Sequence, residues 1–451
     1  MNPNKIKTAT IKKLINGGYG LCSAGNGKTI LVRHSLPGET VEIQIVEQRQ
    51  KVDYGIAGKI LTPHTSRITP PCPWYSSCGG CDLQHAEYRT QCSIKDHILK
   101  DLLERNQSTS LHSLSPLVAP MLPSPDEFGY RQRIRLKNGN NRVGFNRFRS
   151  HEIVPIKQCL LAPDTINSAL GRLPYASGFH SLSPITEEID ILLNPDDSTL
   201  CLVLYTKRKP RPNDRKTARS LASEIAPGTR IFLAGQRFPM EGPFSGDKED
   251  TDRTMSMTVP GRDPLTLFWE AGGFCQVNIE QNFNLVNLVL EFCEPSSSDK
   301  LLDLYCGMGN FALPLAQKTG MVHGIENQRS AIRSGRYNCD FNQLANISFE
   351  KSDVLPACKR LAGSNETFDT IVCDPPRQGM VNMAPLLGRL CRKKIVYISC
   401  DPATLCRDLA SLQQEGFSVK KIQPVDMFPQ THHIETVTLL EKENALLFSF
   451  L

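Results

Sequence analysis

No stretch of this 451-residue chain approaches the roughly 18 consecutive apolar residues that a membrane-spanning helix requires. Residues 1–10 (MNPNKIKTAT) also lack the apolar segment of a secretory leader. The sequence therefore leads us to expect a soluble, cytoplasmic protein with no membrane partner. Charge of one sign is not in large excess: the net charge is +6, too mild to specify a partner by itself. The third glycine of the dinucleotide fingerprint G-x-G-x-x-G is missing as well. Gly307 and Gly309 are present, but Leu313 and its neighbours supply no further glycine, which counts against a nicotinamide dinucleotide enzyme.

What is present is globular, with 40% hydrophobic and 22% charged residues and length enough for two to four domains. Sixteen cysteines in a cytoplasmic chain point to thiols, metal ligands or catalysis more than to disulfides. Basic residues cluster at 5–13, 131–149 and 207–219, three candidate phosphate-contacting surfaces that together favour a nucleic acid partner.

Along the chain, short alternating segments within residues 8–67 are separated by glycine-rich turns, the spacing of a small all-β barrel. Residues 70–84 (PPCPWYSSCGGCDLQ) place Cys72, Cys78 and Cys81 in a C-x5-C-x2-C pattern inside a loop with little propensity for helix or strand. A metal is the economical way to hold such a loop, and on spacing alone zinc comes ahead of iron–sulfur. Cys159 is the best candidate for a fourth ligand by context, with Cys92 open on pattern. A helical pattern occupies much of residues 84–114. Residues 128–137 (FGYRQRIRLK) alternate as a strand, and their arginines with Tyr130, Phe145 and Phe148 suit a platform for single-stranded RNA, the rival reading being an ordinary β core with a charged outer face. Lys248 to Thr254 reads as a hairpin loop.

From about residue 265 strands and helices alternate. Residues 301–305 read as a buried strand, 306–310 as a glycine-containing turn and 311–316 as a helix start, so that a ligand can approach the backbone at Gly307 and Gly309. Glu326 ends the next strand, where its carboxylate can accept hydrogen bonds from ribose hydroxyls, and Asp353 is placed to meet an adenine edge. With no pyrophosphate cradle, this set fits S-adenosylmethionine. Residues 368–380 (FDTIVCDPPRQGM) end a strand at Asp374. Residues 396–407 (VYISCDPATLCR) deliver Cys400 to the carboxyl end of another, a good place for a nucleophile. Glu435 precedes a final strand; a lone glutamate there is ordinarily a surface residue.

The segments LDLYCGMGNF, DPPRQG, SCDPATLCRD and MFPQTHHIETV, in that order and behind the cysteine loop, resemble the RNA uridine C5-methyltransferases that act on 23S ribosomal RNA. Residues 1–67 resemble a TRAM domain, an OB-like barrel. The resemblance implies a Rossmann-like α/β methyltransferase domain at 265–451. It also implies a central α+β iron–sulfur domain at 68–264, whose helical excursion near 85–115 packs on the catalytic domain. It makes Cys72, Cys78, Cys81 and Cys159 the ligands of a [4Fe-4S] cluster. Gln276, Tyr305, Asn310, Glu326 and Asp353 become the S-adenosylmethionine pocket, with Asp374 holding the uracil edge or ordering the cofactor. Cys400 would add to carbon 6 of a flipped-out uracil, and Glu435 would remove the carbon 5 proton. Lys12, Lys13 and Arg33 are the barrel's candidate phosphate contacts, and a monomer is the expected state. Asp401 stands where asparagine is common, and Tyr305 where phenylalanine is frequent. The competing readings are a transfer RNA methyltransferase and a nonenzymatic RNA-binding or assembly factor.

Overall fold

The computed structural model describes residues 6–443 apart from 24–26, 106–110, 112, 140, 141, 247–251, 253, 261 and 262. Most of the stretch read as a hairpin loop at 248–254 lies outside the described residues.

Six strands (Ile6–Thr10, Lys13–Ile15, Tyr19–Ser23, Thr29–Arg33, Thr40–Gln48 and Val52–Thr62) form one barrel-like sheet in the order first, fifth, sixth, fourth, third, second. Alternation does what it should: Ile30, Val32, Val41, Ile43 and Ile45 turn into a small core while their neighbours face out. Glu39, fully buried, accepts the Leu36 and His64 amides and pairs with Arg67, which ties the LPGE turn to the chain that leaves the barrel.

The middle of the chain is a seven-stranded mixed sheet running Phe238–Phe244, Arg230–Gly235, Leu200–Thr206, Thr186–Leu193, Arg133–Gly139, Arg142–Asn146, Ile153–Pro155. Helices Asp164–Arg172, Ser177–Leu182 and Pro212–Ile225 cover one face, and Ile134 and Leu136 point into that core. The intervening Arg133 and Arg135 face the other way, as strand periodicity requires. A hairpin, Thr254–Val259 with Leu265–Glu270, spans position 265 and packs on helix Arg329–Phe341.

The last unit is a second seven-stranded sheet, ordered Ile347–Lys351, Met321–Glu326, Lys300–Leu304, Phe368–Cys373, Cys391–Ser399, Glu435–Lys442, Phe417–Val425. The first five run parallel, Glu435–Lys442 runs against them, and Phe417–Val425, antiparallel to that strand, returns to their direction. Strand Phe368–Cys373, buried at every position including Asp369 and Thr370, shows that the sheet is covered on both faces. The strand order reverses at Lys300–Leu304, which opens a ligand crevice at the carboxyl ends of the neighbouring strands. Helix Tyr88–Arg105, far upstream in sequence, packs against helix Pro402–Gln414, and its Leu99 and Leu103 share a core with Leu405 and Leu409.

Candidate active site

The loop after strand Lys300–Leu304 is shaped by its backbone. Tyr305 takes a positive φ of 63°, a conformation that costs a non-glycine residue of order 1 kcal/mol and that clusters at ligand sites. Gly309 sits at φ 95°, and a Cβ there would lie 2.0 Å from the Leu313 Cδ1, so only glycine fits. Glu326 reaches back beneath the loop: its carboxylate accepts the Gly307 amide at 3.2 Å and the Gln328 amide at 2.8 Å. Asn310 exchanges two 2.9 Å hydrogen bonds with Asn282, and Asp353 receives the Asn327 side-chain amide at 3.2 Å. Gln276 lies half-buried in a neighbouring small cavity with Gln132 and Trp269.

Asp303 lies in strand Lys300–Leu304, which leads into this loop. It is fully buried, and the Ala312 backbone amide is the hydrogen-bonding group that favours its charged form. Burial first, then Asp374 and Glu326, push its carboxyl well above the usual range. Asp374 and Glu326 thus bear on Asp303 from the two neighbouring strands, a site that a cationic ligand would relieve.

Two strands further on, register brings the proposed nucleophile and base together. Ser399 pairs with Thr436 across the antiparallel join, so the next step places Cys400 opposite Glu435. Cys400 is half-buried and Glu435 buried. Burial, Glu435 and Asp374 push the Cys400 thiol up to about 12, and the Arg377 guanidinium pulls it back. Burial and Asp374 hold the Glu435 carboxyl well above its ordinary range, again opposed by Arg377. Burial raises Asp374 to about 7.

Arg377 was not singled out from the sequence, although it lies within DPPR. Its loop is pinned by Asp408 of the helix after Cys400, which accepts the Met380 amide at 2.7 Å, the Tyr397 hydroxyl at 2.7 Å and the Arg407 Nε at 2.8 Å. Asp401, the departure noted beside the nucleophile, is the N-cap of that helix: its Oδ1 accepts the Ala403 and Thr404 amides at 2.9 and 3.0 Å. Asparagine can cap equally well, which explains why either residue serves here.

A family model described as tRNA (Uracil-5-)-methyltransferase matches residues 251–443. A protein named 23S rRNA (uracil(1939)-C(5))-methyltransferase RlmD from Hahella chejuensis is 33% identical, over 98% of this chain and 98% of its own length. An Uncharacterized RNA methyltransferase from Aquifex aeolicus is 32% identical, over 96% and 97%. The chain belongs to the RNA (uracil-5-)-methyltransferase family. Among solved structures, the Pyrococcus abyssi tRNA (uracil-54, C5)-methyltransferase in complex with S-adenosyl-L-homocysteine superposes with a TM-score of 0.70 and 25% identity, covering 96% of this chain and all of that one.

In this methyltransferase the segment that leads to Glu435, residues 426–434, has no regular structure, yet its carbonyls are taken in succession. Gln281 donates to the Asp426 carbonyl, Asn278 to Met427, Lys95 to Phe428 and Tyr130 to Pro429; the Asp82 and Leu83 amides donate to Gln430. Lys95, fully buried on helix Tyr88–Arg105, also makes a 2.6 Å ion pair with the equally buried Asp426. Gln91, one turn earlier, holds the Gln430 side chain at 2.9 Å and its amide at 3.0 Å.

The methyltransferase's cysteine loop adjoins this segment. The Cys78 amide donates to the Trp74 carbonyl at 2.7 Å and the Gly79 amide to Asn146, so the loop is fastened to the central sheet. Cys78 feels the charges of Cys159 and Cys72, Cys81 those of Cys159 and Cys78, and Cys159 that of Cys72; burial raises all four thiols, Cys78 to about 11. Cys92 instead has Asp426, Tyr88 and Lys95 as its neighbours. Among the described residues, no three His, Cys, Asp or Glu side chains are drawn into ligating geometry.

Several expected RNA contacts are otherwise engaged. Tyr130 is buried and bonded to Pro429, so it is no stacking platform: its ring fills the join between two domains. Arg33 is buried and lies 3.5 Å from the Phe148 ring centroid, a cation–π contact in place of a free phosphate ligand. Lys13 is paired with Asp101, and Arg208 and Arg215 of the 207–219 run are held by Asp214 and Glu241. Arg133 and Arg135 share Asp190, yet with Arg131 they line a cleft of about 670 Å³ between the central sheet and the loop carrying Phe274.

Proposed function

We propose that this chain transfers a methyl group from S-adenosylmethionine to carbon 5 of a uridine in 23S ribosomal RNA. The observation that carries this reading is that Cys400 and Glu435 lie one step beyond the Ser399–Thr436 pair, with the charges of Glu435 and Asp374 bearing on the Cys400 thiol. Tyr305, Asn310, Glu326, Asp353 and Gln276 would hold the cofactor, and Asp303, buried beside Asp374 and Glu326, favours a cationic occupant. S-adenosylmethionine, when bound, supplies the methyl group.

Carbon 5 of uracil is too weak a nucleophile to take that group unaided. The Cys400 thiolate therefore adds to carbon 6, and a sulfur–carbon bond forms as the ring electrons move to give an enolate whose carbon 5 is nucleophilic. Arg377 is the cation that favours the thiolate. After methylation Glu435 takes the carbon 5 proton, the electron pair restores the double bond, and the carbon–sulfur bond breaks. Asp374, with its raised proton affinity, would hold the uracil edge or help order the cofactor. A stacked base cannot reach a half-buried thiol, so the nucleotide must leave its helix. The cleft lined by Arg131, Arg133 and Arg135 supports an approach for the RNA.

For Cys72, Cys78, Cys81 and Cys159 we propose a [4Fe-4S] cluster. Four thiols that feel one another, raised by burial, form a donor set suited to a cationic centre, which would deprotonate them. The cluster's contribution when bound is to cross-link the loop to the segment around Cys159. No helix among the described residues is long and apolar enough to cross a membrane, and we propose a cytoplasmic monomer.

The similarity to a transfer RNA enzyme makes that substrate the specific competitor. Unmodified 23S and transfer RNA transcripts, each incubated with the enzyme and methyl-labelled cofactor, separate the two. We expect 5-methyluridine in the 23S transcript alone; label in the transfer RNA alone would overturn the substrate assignment, and label in neither would overturn the reaction.

A further inference from the structure

On the face of the central sheet opposite Arg133 and Arg135 lies a groove of about 950 Å³ that the reaction does not use. Its walls come from the cysteine loop, the edge strands of the sheet and the two helices that follow Cys159. Three aromatic rings line it: Trp74, Phe179 and Tyr175, the last 83% exposed. Three cations from separate elements join them: Arg142 on strand Arg142–Asn146, Lys157 beyond strand Ile153–Pro155, and Lys207 beyond strand Leu200–Thr206. No carboxylate is among its described lining residues.

A ring left so exposed costs solubility unless something covers it. Arg142 also acts on Glu152, but three cations converging on one groove mark an anionic occupant, and flat rings between them suit one whose charges alternate with planar groups. A free inorganic anion would leave the rings unused, and an acidic peptide would offer no planar partner for them. Single-stranded nucleic acid meets both demands.

We propose that this groove binds a single-stranded stretch of the substrate RNA separate from the target uridine, with Tyr175 and Trp74 stacking on bases and Arg142, Lys157 and Lys207 contacting phosphates. The inference rests on the reading of the chain as an RNA-modifying enzyme. The groove then anchors a large substrate while the target base enters the catalytic crevice, and affinity is separated from chemistry.

The test uses the full-length chain and a 23S transcript. In the Arg142→Ala/Lys157→Ala/Lys207→Ala variant, losing three contacts to single-stranded RNA reduces the slope of log affinity against log salt by about 2, at roughly 0.7 per phosphate. Tyr175→Ala weakens binding about 5- to 100-fold, the usual range for one stacked base. Both variants raise KM for the transcript and leave kcat at saturating RNA unchanged, and neither alters the circular dichroism spectrum. An unchanged salt slope and KM in the triple variant would overturn the proposal and leave the groove to another class of partner. A reduced slope with no effect of Tyr175→Ala would also overturn it, because a groove that takes bases must feel the loss of the ring. A parent enzyme that binds 23S RNA but methylates nothing would instead defeat the catalytic reading and leave the binding test intact.

Discussion

A thiol pushed up to about 12 is scarcely ionised at neutral pH, and the thiolate is the reactive form. Cys400 therefore depends on whatever favours its charge, and Arg377 is the cation that does so. Removing that guanidinium raises the proton affinity of both Cys400 and Glu435. The rising limb of kcat/KM against pH, which reports the free enzyme's ionisations, moves to higher pH in Arg377→Gln, and activity near neutrality falls. A pH–rate profile of parent and variant checks this, and an unmoved limb would remove Arg377 from the account. Cys400 was legible because a strand ends at it, and Glu435 because a family segment contains it. Arg377 was not legible: an arginine after two prolines reads as a surface cation until Asp408, thirty-one residues later, is seen to fix its loop. The surroundings of Asp303 were opaque for a similar reason, since its burial beside Asp374 and Glu326 is visible only once the sheet is assembled.

At the scale of elements, the parallel strands, the glycine turn and the final antiparallel pair were readable from periodicity and punctuation. The join between helix Tyr88–Arg105 and residues 426–434 was not. Lys95 looks like any lysine on an amphipathic helix, and the carboxylate it meets is 331 residues away. Tyr130 misled for the same reason: alternation along a strand gives its face but not what covers that face. Breaking a fully buried ion pair strands the remaining charge, at a cost of about 3–5 kcal/mol. Lys95→Met should therefore lower stability by about that amount in urea unfolding. Replacing Asp426 by Asn in the same chain should recover part of the loss, because the orphaned charge is then gone. A single variant as stable as the parent would show that the pair does not hold the segment leading to Glu435.

For the whole molecule, the three units are joined by one shared layer: the cysteine loop touches the central sheet at Asn146 and the catalytic unit at Gln430. The loop spacing picked out Cys72, Cys78 and Cys81 and left Cys159 or Cys92 as the fourth, and resemblance rather than spacing chose Cys159 and iron over zinc. Anaerobic purification with iron, zinc and absorbance analysis checks that choice. The parent should carry about four irons per chain, as a [4Fe-4S] cluster requires. Cys81→Ser should lose most of the iron and unfold at lower temperature, while stoichiometric zinc in the parent would show that spacing was the better guide.

The central claim concerns one transient bond, and trapping it is the most direct test. When the hydrogen on carbon 5 is replaced by fluorine, Glu435 has no proton to take, so methylation should leave RNA bound to the protein. Parent enzyme incubated with S-adenosylmethionine and 5-fluorouridine-substituted 23S transcript should give a denaturation-resistant adduct, and mass spectrometry of the digest should place the modified nucleotide on the peptide containing Cys400. An adduct on another cysteine, or the same yield from Cys400→Ser, would contradict the account.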